Sequence, residues 1–313
     1  MKVLVTCPPM LKRLDDFRAL FAERGADVHA PDVVQTLPEA ALEQLVPAFD
    51  GWIIGDDPAT RRVLAAGVAG RLRAAVKWGV GVDNVDLAAA RDLGLPIVNT
   101  PAAFGREVAD LAMCYTTAIA RDVGVIDRGV RAGDWPKPAG VSLADRTVAL
   151  VGLGDIGRHT ARRLMAADMR VIAYDPFVPD GVAPAGVERA DWPERLSEAD
   201  FVVLTCALTP QNRTMVNAKA IAAMKPGVRI VNVARGALID EAALITALAA
   251  GHVAAAALDV FEVEPLPAQS PLRRFERCVL GSHNASNTVD AVRRASERAI
   301  SSLFELLAAR ASR

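Results

Sequence analysis

The sequence predicts an α/β protein made of two doubly wound parallel-sheet domains, and three observations carry that reading. Short apolar runs alternate with amphipathic stretches through the first hundred residues. A second series of the same kind follows a proline-broken loop, and a glycine-rich turn directly follows one of its apolar runs. Alternation of this kind is the pattern of strands crossed over by helices into a parallel sheet. The 313 residues exceed what one core ordinarily holds, so two domains fit. A composition 52% hydrophobic but only 5% aromatic suits Ala/Val/Leu strands covered on both faces.

In the first series Val3-Leu4-Val5 reads as a strand. Leu14 to Glu23 reads as a helix stopped by Gly25. Trp52-Ile53-Ile54, Ala74-Ala75-Val76 and Ile97-Val98 read as further strands, with helices near Arg61 to Ala66 and Leu87 to Leu93. One long helix is expected from about Glu107 to Gly129. Pro136 and Pro138 then force a loop. The second series supplies strands at Val148-Ala149-Leu150-Val151, Val171-Ile172-Ala173-Tyr174, Phe201-Val202-Val203-Leu204, Ile230-Val231-Asn232-Val233 and Ala256-Ala257-Leu258. Val292, Ala295, Ala299, Leu303 and Leu306 repeat at helical spacing in a last helix from Val289 to Ala309.

Composition also narrows the partners. Net charge is −1 with both signs dispersed, so neither nucleic acid nor a lipid surface is expected. No apolar run approaches the roughly 18 residues of a membrane helix. The start, Met1-Lys2-Val3-Leu4-Val5-Thr6 before Pro8-Pro9, does not resemble a signal peptide. Cys7, Cys114, Cys206 and Cys278 are scattered and read as reduced thiols, which points to the cytoplasm. The four histidines lack metal-ligand spacing, so no metal is expected.

Chemistry concentrates in the second series. Gly152-Leu153-Gly154-Asp155-Ile156-Gly157 follows an apolar run and opens a helical stretch, Arg158 to Ala167. Gly152 allows a tight turn, Gly154 lets a pyrophosphate approach the backbone, and Gly157 allows helix and strand to pack closely. Free amides at a helix start, including those of Asp155 and Ile156, then face the phosphates. Asp175 ends the next run, where a carboxylate accepts hydrogen bonds from ribose hydroxyls and repels a 2′-phosphate, favouring NAD over NADP. Arg235, in Asn232-Val233-Ala234-Arg235-Gly236, follows an apolar strand and can grip a carboxylate and a neighbouring carbonyl oxygen. Glu264 and His283 suit an acid/base pair in which the carboxylate orients the imidazole and stabilises its protonated form. Each of these has a plainer alternative: a ligand-free glycine turn, a turn aspartate before Pro176, a surface-paired arginine, a structural histidine.

Together these pieces resemble the D-isomer-specific 2-hydroxyacid dehydrogenases, especially their short phosphoglycerate-dehydrogenase-like members. The resemblance starts at Lys77-Trp78-Gly79-Val80-Gly81-Val82-Asp83-Asn84-Val85-Asp86 and includes Asn99-Thr100-Pro101, Val108-Ala109-Asp110, the glycine turn and Met224-Lys225-Pro226-Gly227. It continues through the Arg235 run, Leu258-Asp259-Val260-Phe261-Glu262-Val263-Glu264-Pro265 and Ser282-His283-Asn284-Ala285. It implies a Rossmann cofactor domain inserted into a flavodoxin-like catalytic domain, with boundaries near 1–98, 99–282 and 283–313. It implies NAD as cofactor and a small 2-hydroxy or 2-oxo acid as substrate. Arg235 takes the place of the substrate-binding arginine, Glu264 of the histidine-supporting glutamate and His283 of the general acid/base. The amides of Gly79, Val80 and Gly81 are expected at the substrate carboxylate. Val80, Asp155, Ile156, Asp175, Cys206, Val233, Ala234 and Asp259 fall where the family meets NAD, with Asp259 at the nicotinamide carboxamide. The active site is expected in the cleft between the domains, and the apolar helix Val108 to Ile126 suggests a homodimer.

The chain also departs from the family. Thr205-Cys206-Ala207-Leu208-Thr209 replaces the more usual His-x-Pro-Leu-Thr. The loop Gly55-Asp56-Asp57-Pro58 stands where phosphate-using relatives carry a basic residue, which favours an unphosphorylated acid over 3-phosphoglycerate unless Arg61, Arg62 or Arg106 compensates. The end at Arg313 leaves no room for a C-terminal regulatory domain. Two other readings stay open: an oxyacid or formate dehydrogenase on the same scaffold, and a non-catalytic NAD sensor like the family's corepressor branch.

Overall fold

Short runs of Val, Leu, Ile and Ala become strands here because helices cover them on both faces. The computed structural model describes residues 1–179 and 183–311, which divide into two units. One unit is Met1–Phe104 with the chain from Asn287 onward, and the other is Gly105–Ser286.

The first unit holds β1 (Lys2–Val5), β2 (Asp27–His29), β3 (Gly51–Ile54), β4 (Ala74–Lys77) and β5 (Ile97–Asn99). All pair in parallel in the order β2-β1-β3-β4-β5, so the strand order reverses between β1 and β3. β3 and β4 are buried along their whole length. One core cluster runs from Leu4 and Trp52 to Val63, Leu64 and Ala75. Trp52 is fully buried, and its indole Nε1–H donates to Thr6 Oγ1 at 3.0 Å. The last helix, Val289–Ala311, belongs to this unit. Ser296 Oγ accepts from Trp78 Nε1–H at 3.0 Å, and a methyl group at Gly51 would stand 3.1 Å from Leu303 Cδ2. Gly51 therefore lets the helix lie close on β3.

The second unit holds β6 (Thr147–Val151), β7 (Arg170–Tyr174), β8 (Val187–Arg189), β9 (Phe201–Leu204), β10 (Val228–Asn232), β11 (Val253–Leu258) and β12 (Val279–Leu280). They are parallel in the order β12-β11-β10-β9-β6-β7-β8. This is the Rossmann order with a seventh strand, reversing between β6 and β9. No helix among the described residues is long and apolar enough to cross a membrane.

Three differences from the sequence reading have local causes. The expected helix Glu107 to Gly129 is two helices, Gly105–Ala120 and Val123–Arg131. Asp122 between them is buried at φ 51°, and the carbonyl of Ala120 accepts from the returning Val141 N–H at 2.8 Å. Aspartate tolerates that left-handed turn better than most residues. The stretch Leu14 to Glu23 is likewise a 3₁₀ turn, Leu14–Asp16, then an α-helix, Arg18–Ala22. The units divide after Phe104 and after Ser286, where 98 and 282 were expected. Thr100 donates its N–H to Gly79 O, and Phe104 lies against Trp78 with ring centroids 5.0 Å apart, holding 99–104 on the first unit. His283 and Ala285 both donate N–H groups to Asp259, holding 283–286 on the second.

Leu303 is fully buried against β3. Leu303→Ala is expected to cost about 2–5 kcal/mol in urea unfolding, the usual range for removing a buried leucine side chain. A loss below about 1 kcal/mol would mean that the helix does not seal this core.

Candidate active site

In the second unit the sequence motifs all emerge at the carboxyl edge of one parallel sheet, where open α/β sheets bind ligands. Gly152 follows β6, Asp175 follows β7, Cys206 follows β9, Arg235 follows β10, Asp259 follows β11, and Gly281 to His283 follow β12.

The glycine turn is shaped by close backbone approaches. Gly152 has φ +94°, donates its N–H to Tyr174 O at 2.8 Å, and a Cβ there would meet Cys206 N at 2.6 Å. A Cβ on Gly157 would stand 2.0 Å from Gly152 O. Gly154 behaves differently: a Cβ there would meet nothing within 4 Å. It is the exposed N-cap of helix Asp155–Ala166 and gives the first turn no side-chain cap. Two glycines are thus required by packing and the third opens outward at a helix N-terminus, as a pyrophosphate would need. Thr205 Oγ1 donates to this turn, lying 3.0 Å from Val151 O and 2.9 Å from Gly152 O.

The Asp155 carboxylate lies against the start of helix Gly105–Ala120. A Cβ on Gly105 would stand 2.1 Å from its Oδ2, at the favourable end of that helix's dipole. Ile156 is half-buried beside it. Asp175 Oδ2 accepts the Leu153 N–H at 2.7 Å and Oδ1 accepts the Phe177 N–H at 2.9 Å. The same carboxylate that could hold a ribose therefore also ties β7 to the glycine turn. Cys206 packs under Gly152, and burial pushes its thiol up to about 11, so it is a neutral wall.

On β10, Asn232 is fully buried and brackets the Arg235 turn. Its Oδ1 accepts from Ala234 N–H at 3.0 Å and its Nδ2 donates to Arg235 O at 2.8 Å. Arg235 Nη1 lies 2.8 Å from Ala234 O. Val233 and Ala234 are buried, with their amides engaged by Leu204 O and Asn232 Oδ1, so what they can offer a cofactor is carbonyl and apolar surface. A Cβ on Gly236 would stand 1.9 Å from the Phe261 carbonyl carbon, so the Arg235 turn sits directly on the turn that leads to Glu264.

Glu264 and His283 meet. Glu264 Oε2 lies 2.7 Å from His283 Nδ1, and Oε1 accepts the Phe261 N–H at 2.9 Å. A carboxylate only accepts, so Nδ1 carries the proton in this pair. Both side chains keep about a fifth of their surface exposed. Asp259 is buried, with Oδ2 accepting Ala285 N–H at 2.8 Å and Oδ1 lying 3.3 Å from the Tyr115 hydroxyl. Sequence reasoning singled out neither Tyr115, Asn232 nor Thr205 as site residues. Asn232 and Thr205 stand inside quoted motifs and Tyr115 outside them, and what each side chain bonds to is set only by the fold.

In the first unit Gly79 has φ +133°, and its N–H is engaged by Thr100 Oγ1 at 2.9 Å. The Gly79 N–H thus already has an acceptor within its own unit. Val80 O accepts from Asn99 Nδ2 at 2.8 Å, which fixes the loop.

Residues 113–285 match the NAD binding domain of the D-isomer specific 2-hydroxyacid dehydrogenases. The chain belongs to that family. NAD is accordingly the cofactor of its second unit. The chain is 36% identical over 277 residues to hydroxypyruvate reductase of Thermotoga maritima, covering 87% of this chain and 89% of that one. It is 40% identical over 259 residues to chloroplastic D-3-phosphoglycerate dehydrogenase 3 of Arabidopsis thaliana, covering 81% of this chain but 44% of that relative. It spans less than half the length of the phosphoglycerate dehydrogenase relatives that it matches. Among solved structures, TT0316 protein of Thermus thermophilus is 34% identical, with a TM-score of 0.86 over 99% of this chain and 97% of that one.

Proposed function

We propose that the protein is an NAD-dependent D-2-hydroxyacid dehydrogenase, acting reversibly on a small, unphosphorylated 2-hydroxy or 2-oxo acid. The observation that carries this reading is the His283–Glu264 pair at 2.7 Å on the same sheet edge as the glycine turn and the Arg235 turn. Bound NAD supplies the hydride chemistry. Gly152, Gly154, Asp155, Ile156 and Gly157 would hold its pyrophosphate, and Asp175 its ribose. Cys206, Val233, Ala234 and Asp259 would form the remaining walls. Arg235 would grip the substrate carboxylate and polarise the reacting carbonyl. His283 Nε2 would deliver a proton to the carbonyl oxygen in reduction and remove it from the hydroxyl in oxidation. Glu264 would keep the ring in the tautomer and orientation that this transfer needs and stabilise its charged form.

The charge at the edge of the first sheet supports an unphosphorylated substrate. Lys77 Nζ is buried and held by Gly55 O at 2.6 Å and Asp56 Oδ1 at 2.9 Å, so its charge is neutralised inside the loop. Arg61 pairs with Asp92 and Arg62 with Glu43, each turned to a neighbouring carboxylate. Arg106 is an exposed residue of helix Gly105–Ala120. None of these observations favours 3-phosphoglycerate. Exposed Val123 and Val130 on helix Val123–Arg131, with exposed Trp135 in the loop after it, support a homodimer through this unit, and four unpaired cysteines support a cytoplasmic home.

Three measurements test the reading. Turnover of NADH across hydroxypyruvate, glyoxylate, pyruvate and 3-phosphohydroxypyruvate is expected to favour an unphosphorylated acid, and His283→Ala to lose roughly 10²–10⁴-fold while still binding NADH. Near-normal turnover in that variant would give the proton to another group; activity on phosphite or formate alone would give the site a different reaction. The unmodified protein is expected to prefer NAD over NADP, and Asp175→Ala to narrow that preference while weakening both, since Asp175 also holds the Leu153 amide. Equal use of both cofactors by the unmodified protein would remove Asp175 as the discriminating group. Light scattering at micromolar concentration is expected to give a dimer mass, and a monomer would overturn that claim.

A further inference from the structure

Asp259 holds the chain on both sides of His283. Its backbone oxygen accepts the His283 N–H at 2.7 Å, and its Oδ2 accepts the Ala285 N–H at 2.8 Å. His283 between these two bonds sits at φ 54°, a left-handed conformation that a side-chain-bearing residue keeps only where its surroundings enforce it. Glu264 sets the rotation of the imidazole from the other direction, through Nδ1. Ring orientation and loop position are therefore held by two different carboxylates.

What holds Asp259 comes from helix Gly105–Ala120. Tyr115 is buried, and its hydroxyl lies 3.3 Å from Asp259 Oδ1. Burial, and then the Asp259 charge beside it, push the Tyr115 phenol up, so it stays protonated under assay conditions and donates to the carboxylate. A Cβ on Gly281 would stand 2.3 Å from Asp259 Oδ1 and 2.4 Å from the Tyr115 hydroxyl, so the chain leading into His283 passes directly over the pair. A residue that only filled the core at position 115 would have no use for a hydroxyl there.

We propose that Tyr115 is a positioning residue for proton transfer: its hydroxyl fixes the buried Asp259 carboxylate, and Asp259 sets the His283 loop and the aim of Nε2. This rests on the reading of His283 as the proton-transfer group. A small misplacement of a catalytic group lowers turnover without abolishing binding, so the loss belongs in kcat.

The test is a double-mutant cycle on the full chain with Tyr115→Phe, Asp259→Asn and the pair together, following kcat, KM for the best 2-oxo acid, NADH affinity by fluorescence titration, and thermal melting. Tyr115→Phe keeps the ring and removes only the hydroxyl. It is expected to lower kcat about 3–10-fold with NADH affinity and KM within about twofold of the unmodified protein. In the Asp259→Asn background the same change is expected to cost less than in the unmodified protein, because the hydroxyl then faces a neutral amide instead of a carboxylate. Gly281→Ala, which drives a methyl group between the pair and the loop, is the independent arm and is expected to lower kcat in the same way. The proposal is overturned by a Tyr115→Phe kcat within about 1.5-fold of normal, by losses that multiply in the double variant, or by a loss confined to NADH affinity. A Gly281→Ala protein that folds and turns over normally overturns it too. Unmodified protein that binds NADH but reduces no 2-oxo acid overturns the dehydrogenase reading beneath it. Normal turnover with an unaffected Tyr115→Phe variant removes the positioning role alone.

Discussion

A parallel sheet delivers every strand's end to the same edge, and the candidate site depends on that constraint more than on any single residue. In the seven-stranded sheet, β6, β9, β10, β11 and β12 are adjacent, and their exits carry Gly152, Cys206, Arg235, Asp259 and the His283 turn in that order. Helix Asp155–Ala166 presents its N-terminal amides at the same edge, because a right-handed crossover begins where a strand ends. Anion-binding amides, a guanidinium and an acid/base pair thus gather without any loop having to travel.

Backbone-to-backbone packing then makes those exits into one surface. Gly152 lies on Cys206, Gly157 on Gly152, Gly236 on Phe261 and Gly281 on Asp259, each closer than a Cβ would permit. Loops in such contact hold one another in place, and the polar groups between them are paired. Asn232 satisfies the Ala234 amide and the Arg235 carbonyl; Asp175 satisfies the Leu153 and Phe177 amides. Hydrogen bonds to an ionised carboxylate contribute roughly 1.5–3 kcal/mol each, enough to hold a turn of a few residues in one conformation.

The edge of the five-stranded sheet is organised differently, around buried charge. Lys77, Asp56 and Asp57 lie at the ends of β3 and β4, and burial pushes the Asp57 carboxyl up even though the Gly55 and Leu37 amides donate to it. Asn84 Nδ2 donates to Gly55 O and Asp57 O, joining this loop to the one that follows Gly79-Val80-Gly81. A lysine neutralised within its loop in this way makes a poor phosphate ligand.

The sequence by itself determined the fold class and named the residues proposed for the site, because both readings rest on short-range rules. Apolar runs such as Phe201-Val202-Val203-Leu204 read as covered strands from their short length and β-branched content, and a glycine turn between strand and helix matches a known ligand-binding geometry. The strands it missed, β2, β8 and β12, lie at or next to sheet edges and are two or three residues long, too short for a periodicity to register. Tertiary structure alone decided the rest. Whether the Ala120 carbonyl continues a helix or accepts from Val141 depends on a strand of chain that returns from twenty residues away. Thr100 accepting the Gly79 N–H, and Tyr115 reaching Asp259 across 144 positions, are likewise contacts between residues distant in the chain. No local propensity encodes such a contact, since its partners become neighbours only when the sheet has formed.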